Sequence, residues 1–476
     1  MKIEKSKGIT AGEKKVAQIC EKSFLSLWSY PNLFYKTNKE LCDVLIVFGD
    51  IVFLISEKTS EFKPEDKDLA IEWGRFKRNI IEKSYRQLYG AEKWLKSFPT
   101  KIYMDAACTK PFPLNISKNT KFIKISVING LDKINKIRDS AEETGIEIPA
   151  DMQLLTMRID NYIHLLDDYT FPILFEQLDT ASDLISYFIK KENLLQSGKL
   201  LFIPPESDLL VMFLSNFDNN TGEHCFIPNY ERFDTIVIDN PEDPYTFFSR
   251  REDVKRQGLA NRNSYLWDSI VENYNHTLMD DKLIGDVSFE DKVKISRIMS
   301  QENRYFRRIL SEKLLTGYST FKSSIERRVM LMQSPTDKEL AYACIMLRKN
   351  PDETKEDYKK KASVLIELYA KTIKMRFPHY KKILCFTKTF PVTARENIYF
   401  FLFESELSDM DKKYVKECEV RYGIGRTFTP VMFRHSPEYP QKQEDLTVSF
   451  SKKIPVNSKC PCGSGRKYKK CCGRLS

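Results

Sequence analysis

Apolar residues along the first 130 positions follow two rhythms in turn. After Thr10 and Glu13, Val16, Ile19, Cys20, Phe24 and Leu27 recur at helical spacing. That pattern predicts a helix opened by a capping box and ended by Pro31. Residues 41–58, LCDVLIVFGDIVFLISEK, then form a nearly continuous apolar run broken at Gly49-Asp50. This is the signature of two buried strands joined by a two-residue turn. Residues 68–95 read as one amphipathic helix with a basic exposed side, and 101–106 and 121–129 as further strands. The order is that of an α/β unit of about 130 residues.

Farther along, 161–168 and 199–204 read as strands and 180–195 as a helix capped by Thr180 and Asp183. Residues 206–335 are largely helical in pattern, with turns near Asn240-Pro241 and Asp243-Pro244. A second alternation follows: strands at 339–348, 381–390 and 397–405, with a helix at 355–377 between the first two. The expectation is a multi-domain α/β protein. Its parts are an N-terminal α/β core (1–135), a mixed, mainly helical middle (136–335), a second small α/β region (336–433), a linker (434–458) and a C-terminal module (459–476). No internal repeat is visible.

Composition narrows the class. With 42% apolar and 30% charged residues, the 476-residue chain has the balance of a soluble globular protein. MKIEKSKGITAGEKK lacks the apolar run of a secretory signal, and no stretch approaches the roughly 18–20 apolar residues of a membrane helix. A cytoplasmic protein without a membrane partner is expected. The net charge of +10 is unevenly placed, because residues 451–476 hold eight Lys or Arg and no acid. The rest of the chain is close to neutral, so any basic surface must be local. Seven of the eleven cysteines stand singly, mostly in apolar segments, as reduced core thiols do; the other four crowd the last seventeen residues.

Those four, Cys460, Cys462, Cys471 and Cys472, lie in CPCGSGRKYKKCC. Two short thiolate pairs joined by a glycine-containing turn suit one tetrahedral zinc, whose binding would supply the folding energy of a module too small for a core. The string resembles the SEC-C motif, the zinc-binding tail of the SecA translocase that also occurs on many unrelated bacterial proteins. With four cysteine ligands the zinc would be structural. The basic residues between them (Arg466, Lys467, Lys469, Lys470) are candidates for docking a ribosome, nucleic acid or acidic protein, or are simply a solvated tail. No GxxxxGK[ST] motif occurs anywhere in the chain.

A Gly49-Asp50 turn pairs Phe48 with Ile51 and, counting back, Leu45 with Leu54 and Asp43 with Ser56. Lys58 emerges on the face of Asp43, and Glu57 on the other face unless a bulge re-aims it. An Asp on one strand, facing an acidic-x-Lys pair on the next, resembles the site of the PD-(D/E)XK nucleases. The resemblance implies that Asp43 and a second carboxylate hold magnesium while Lys58 assists attack of water on phosphorus. It also implies contributions from Glu13 on the preceding helix and Gln87 on the following one, with Lys83 a turn away. Ser56 departs from the pattern where an acid is expected, leaving Glu57, Glu40 or Glu13 to fill the role, or the site silent. Arg75, Arg78 and Lys83 are candidates for a phosphate track on the helix after the hairpin.

The wider chain, in segments such as 22–32, 39–50, 82–94 and 164–187, resembles uncharacterised bacterial proteins with a SEC-C tail. Nuclease modules of this kind occur in restriction and antiphage defence. His164 with Asp167, Asp168, Glu176 and Asp179 offers a weaker metal set, in which Asp179, Thr180 and Asp183 are better explained as helix-start chemistry. The GITAG string (residues 8–12) is too short to suggest a nucleotide loop, and the isolated histidines give no support to a Ser-His-Asp or Cys-His engine. The expected activity is magnesium-dependent nuclease action on nucleic acid, with a structural zinc tail for a partner. The competing expectation is a catalytically inactive nuclease-like scaffold that binds through that tail.

Overall fold

A computed structural model of the chain describes residues 2–59, 69–131, 162–200, 205–236, 244–283, 287–391, 398–424 and 437–440, with isolated positions at 133–134, 136–137, 145, 428–430, 457 and 467. The chain divides into two compact units, one of residues 1–250 with 275–285, the other of 251–274 with 286–476. Both are mixed α/β. Among the described residues, no helix is long and apolar enough to cross a membrane.

The first unit begins with α1 (Ala11–Phe24), opened by the expected reciprocal cap. Thr10 accepts from the Glu13 amide, and the Glu13 carboxylate accepts from the Thr10 amide. The helix stops at Phe24, short of Pro31, which instead lies in an unforeseen strand, β1 (Ser29–Lys36). Proline is tolerated there because β1 is the sheet edge, where a missing N–H breaks no ladder. β2 (Lys39–Phe48) and β3 (Ile51–Thr59) form the expected hairpin, paired Phe48 to Ile51 through Val44 to Ile55. Gly49 takes φ +61°, as the tight turn demands. Val44, Leu45, Ile46, Phe53 and Leu54 are fully buried. Such side chains contribute roughly 1.5–3 kcal/mol each, which locks the register.

The next helix is interrupted. α2 (Leu69–Phe76) passes through a π-helical turn, Lys77–Ile81, into α3 (Glu82–Ser97). β4 (Lys121–Asn129) then runs parallel to β3, and β5 (Ile163–Asp167) parallel to β4, giving the order β1-β2-β3-β4-β5. The strand expected at 101–106 is reduced to isolated bridges from Tyr103 to Phe34 and Pro111. That expected at 199–204 shows one bridge, Leu200 to Ile236, with 201–204 outside the described residues.

Helices flank both faces of this sheet. Phe24 of α1 packs edge-on to Phe53, while α3 meets the other face through a Ser84–Ser126 hydrogen bond and a buried Lys124–Glu92 ion pair. Beyond β5 lie α4 (Thr170–Gln177), α5 (Ala181–Gln196, capped by Thr180 as expected) and α6 (Glu206–Ser215).

In the second unit, β6 (Arg327–Gln333), β7 (Leu340–Arg348), β8 (Lys382–Phe390) and β9 (Phe400–Phe403) form a sheet with the short segment Phe428–Pro430 on its far edge. The strand at 327–333 falls inside a stretch whose pattern is otherwise helical. β7 and β8 are parallel and are joined across the helix Lys355–Arg376, as the second alternation predicts.

Buried charge is concentrated here. Asp268 takes both Arg304 and Arg307 at 2.8 Å, and Arg308 pairs with Glu438. Residues 437–440, inside the expected linker, are therefore anchored locally through buried Glu438. Burial pushes the Asp268 carboxyl up, but the two guanidinium groups outweigh it and hold it below the usual range. Because this pKa is depressed on folding, the stability it contributes is present above the ordinary aspartate range and is lost as pH falls through the folded value. Asp268→Ala removes the carboxylate that two buried guanidinium groups share. It is expected to destabilise this unit by about 3–5 kcal/mol, read as a lowered midpoint in urea unfolding.

Candidate functional site

β2 and β3 stay paired only as far as Val44 and Ile55. β3 continues beside β4 without interruption to Thr59, so no bulge forms and the expected pairing of Asp43 with Ser56 is not made. Instead the strands part at Asp43, whose side chain turns into the gap. Asp43 Oδ2 accepts from the Glu57 amide at 2.5 Å and from Lys58 Nζ at 3.3 Å; Oδ1 accepts from Gln87 Nε2 at 3.2 Å. Ser56 donates to Gln87 Oε1 at 3.1 Å. Asp43, Lys58, Ser56 and Gln87 thus meet on the α3 face, as the two-residue alternation predicts. Lys58 Nζ also reaches the Glu57 carbonyl at 2.8 Å.

Glu57 projects to the other face. Its carboxylate accepts from Thr59 Oγ1 and Asn129 Nδ2 and lies against Gly12 in the first turn of α1, where a β-carbon would come within 2.5–2.9 Å of the carboxylate. The absence of a side chain at Gly12 is what admits Glu57 to this position.

Glu13 is joined to the hairpin by a residue that the sequence pattern did not reveal. Asn32, buried in β1 with φ +51°, donates to Glu13 Oε2 at 3.1 Å and to Glu40 Oε1 at 2.6 Å. Ser6 fixes the amide orientation by donating to Asn32 Oδ1. The one signal present was an Asn directly after Pro31, since Asn enters the left-handed region more readily than most residues.

These acids feel one another. Burial, then Asp43 and Glu13, drive the Glu40 carboxyl up to about 7 against the pull of Asn32 and Lys58. Glu57 is raised chiefly by burial, with Asp43 and Glu13 adding to it. Glu13 goes the other way: burial is outweighed by hydrogen bonds from Ile9, Asn32 and Thr10. Lys58 is a cation that draws on both Glu40 and Glu57. Yet among the described residues no three His, Cys, Asp or Glu side chains converge closely enough to hold a metal ion. The reason is geometric: Asp43 and Glu57 lie on opposite faces of the sheet, and Glu13 also serves as a helix cap.

The basic candidates are exposed. Arg75 pairs with Glu72, whereas Arg78 and Lys83 project from the π turn and the first turn of α3. The weaker metal set around His164 does not assemble. His164 is buried with Nε2 3.3 Å from Glu192, burial holds its pKa down, and Asp167 caps the following helix by accepting from the Tyr169 and Thr170 amides. The four tail cysteines lie outside the described residues.

Comparison with known proteins speaks to the tail alone. The chain resembles the protein translocase subunit SecA of Lawsonia intracellularis (39% identity over 71 residues, 12% of this chain and 8% of that protein) and SecA 1 of Clostridioides difficile (38% over 78 residues, 14% and 9%). It also resembles SecA of Campylobacter curvus (64% over 31 residues, 6% and 4%). The chain therefore spans less than a tenth of the length of these relatives. No solved structure matches. Residues 457–474 match the SEC-C motif, so the chain carries at its C-terminus a motif shared with SecA.

Proposed function

We propose that the first unit is a divalent-cation-dependent nuclease with a PD-(D/E)XK-like core, and that the tail is a structural zinc module that docks a partner. The observation that carries the reading is the meeting of Asp43, Lys58 and Gln87 where the β2–β3 hairpin opens, amid three further carboxylates. The order helix, three antiparallel strands, helix, parallel strand supports it, because that topology delivers an Asp, a Lys and a polar helix residue to one edge.

The donor chemistry suits a hard cation. Carboxylate oxygens are the ligands magnesium prefers, and a carboxyl raised to near neutrality by burial and by neighbouring acids is relieved when a cation arrives. Asp43 and Glu40 would hold it, Glu40 taking the role that Ser56 cannot and water completing the shell, since no third acid converges with them among the described residues. Bound there, the cation would supply charge neutralisation and a more acidic water. Lys58 places an ammonium beside Asp43, where it would meet charge developing on phosphorus; Gln87 keeps the Asp43 carboxylate oriented. Arg78 and Lys83 would hold the flanking phosphates. Such a domain is a fit component of restriction or antiphage defence.

The test is hydrolysis of single- and double-stranded DNA and RNA with magnesium or manganese, with Asp43 and Lys58 variants as controls. The pH dependence carries its own check. Since the Glu40 carboxyl is raised above its unfolded value, it favours the folded state while protonated, and that contribution fades as pH rises through about 7. A cation competes with the same proton, so its affinity should strengthen with pH up to about 7, by at most about tenfold per unit. Glu40→Gln should flatten this dependence, measured by calorimetric titration at about pH 6 and 8, either side of that value.

One observation favours the scaffold reading. Both Asp43 oxygens already accept from protein donors, and Ser56 stands in place of an acid. In that case the hairpin only braces the sheet and the tail provides the function.

A further inference from the structure

The residues that orient Asp43 continue along α3 into an aromatic surface that nothing in the catalytic reading uses. Gln87 and Trp94 are seven residues apart, on one face of the helix and about 10 Å along its axis. Between them, Gly90 opens the track: a β-carbon built there meets nothing within 4 Å. Trp94 is half-buried and fixed, its indole N–H donating to the Lys101 carbonyl and its ring flanked by Tyr35 at 4.8 Å and Phe98 at 4.7 Å. Lys36 Nζ sits 5.2 Å from the Trp94 ring centroid and Lys101 Nζ 4.9 Å from that of Phe98. Lys36 is also the cross-strand neighbour of Lys39. Lys36 and Lys101 make no ion pair with a described residue. Fixed, half-exposed rings bordered by lysines without acidic partners among the described residues match a strand that offers both bases and phosphates, the lysine over Trp94 swinging from ring to phosphate as a base stacks.

We infer that Trp94, with Tyr35 and Phe98, is a base-stacking platform for single-stranded nucleic acid, and that Lys36 and Lys101 hold its phosphates. This deepens the nuclease reading by naming its substrate class, and it rests on that reading for the link to Asp43. A strand with stacked bases would run along α3 past Gly90 toward Gln87 and Lys58. Duplex does not fit, because its bases are already stacked on one another.

The other tryptophans, Trp28, Trp73 and Trp267, are buried, so quenching of tryptophan emission by a ligand reports mainly on Trp94. The full chain, with magnesium and manganese omitted to prevent cleavage and the tail zinc left in place, is titrated with dT12, rU12, an abasic 12-mer of the same charge, and a 12-base-pair duplex. Expected results are quenching by dT12 or rU12 and, by anisotropy of fluorescein-labelled strands, which reads variants lacking Trp94 as well, binding at least about fivefold weaker for the abasic strand and the duplex, with a similar loss for dT12 or rU12 in Trp94→Ala. Trp94→Phe should retain binding, and Lys36→Ala, at an exposed position, should weaken binding and reduce its salt dependence. Equal affinity for base-bearing and abasic strands, or unchanged binding in folded Trp94→Ala and Lys36→Ala, would overturn the inference. Separate cleavage assays in magnesium distinguish the two readings. Stacking without hydrolysis sinks the nuclease and leaves the platform; hydrolysis unaffected by Trp94→Ala does the reverse. The DNA and RNA arms decide which strand is preferred.

Discussion

Asp43→Asn and Lys58→Ala are each expected to cut nucleic-acid hydrolysis by about 10²-fold or more while leaving the chain folded. The two variants fail for different reasons. Asp43→Asn keeps the size of the side chain and one acceptor oxygen, so the Glu57 amide and Lys58 retain a partner, but the negative charge that attracts a cation is gone. Added cation should then recover little. Lys58→Ala leaves the carboxylates in place and should still take up cation, because it removes an ammonium that offsets Glu40 and Glu57. Its defect should lie in kcat rather than in substrate affinity, since the ammonium acts where charge grows on phosphorus. Asp43→Ala is the poorer choice: Asp43 is buried, and orphaning the donors around it costs about 1–3 kcal/mol. Melting curves beside the rates separate that cost from catalysis.

Removal of the tail metal should produce the second large effect. The motif spanning residues 457–474 contains Cys460, Cys462, Cys471 and Cys472 within seventeen residues of the end. If these thiolates share one zinc, elemental analysis should find about one zinc per chain, and a Cys462→Ser, Cys471→Ser double substitution should lose it. Apparent zinc binding in such modules is about 10–16 kcal/mol, which is also their folding energy, so the metal-free tail should become protease-sensitive. The two α/β units have their own cores and should melt unchanged. A chain that keeps zinc after both substitutions would place the metal elsewhere.

The hairpin was legible because its signals agree. Gly49-Asp50 set the turn, the apolar run set the burial, and the alternation placed Asp43 and Lys58 on one face with Glu57 on the other. The parting of the strands was not legible, since it depends on a carboxylate capturing the Glu57 amide across the gap. β1 was hidden by Pro31, which reads as a helix terminator and is accommodated only because tertiary packing puts it at a sheet edge. With β1 went Asn32, whose amide joins Glu13 to Glu40 across two elements, a coupling local patterns do not encode. The single helix expected at 68–95 carries a π turn at Lys77–Ile81, which shifts the angular relation of Arg75 to Lys83. Trp94 and Tyr35 come from elements nearly sixty residues apart, so their contact could not be read from spacing.

If Asp43 and the acids around the opened hairpin form a cation site, metal uptake must depend on Asp43. Manganese should be titrated by calorimetry into the chain freed of magnesium, at about pH 6 and 8, with Asp43→Asn alongside and the zinc tail left loaded. One manganese site, tighter at the higher pH than at the lower and lost in Asp43→Asn, is the predicted result. No uptake at either pH, or uptake indifferent to Asp43, would rule out a cation site there and leave the hairpin as a structural brace.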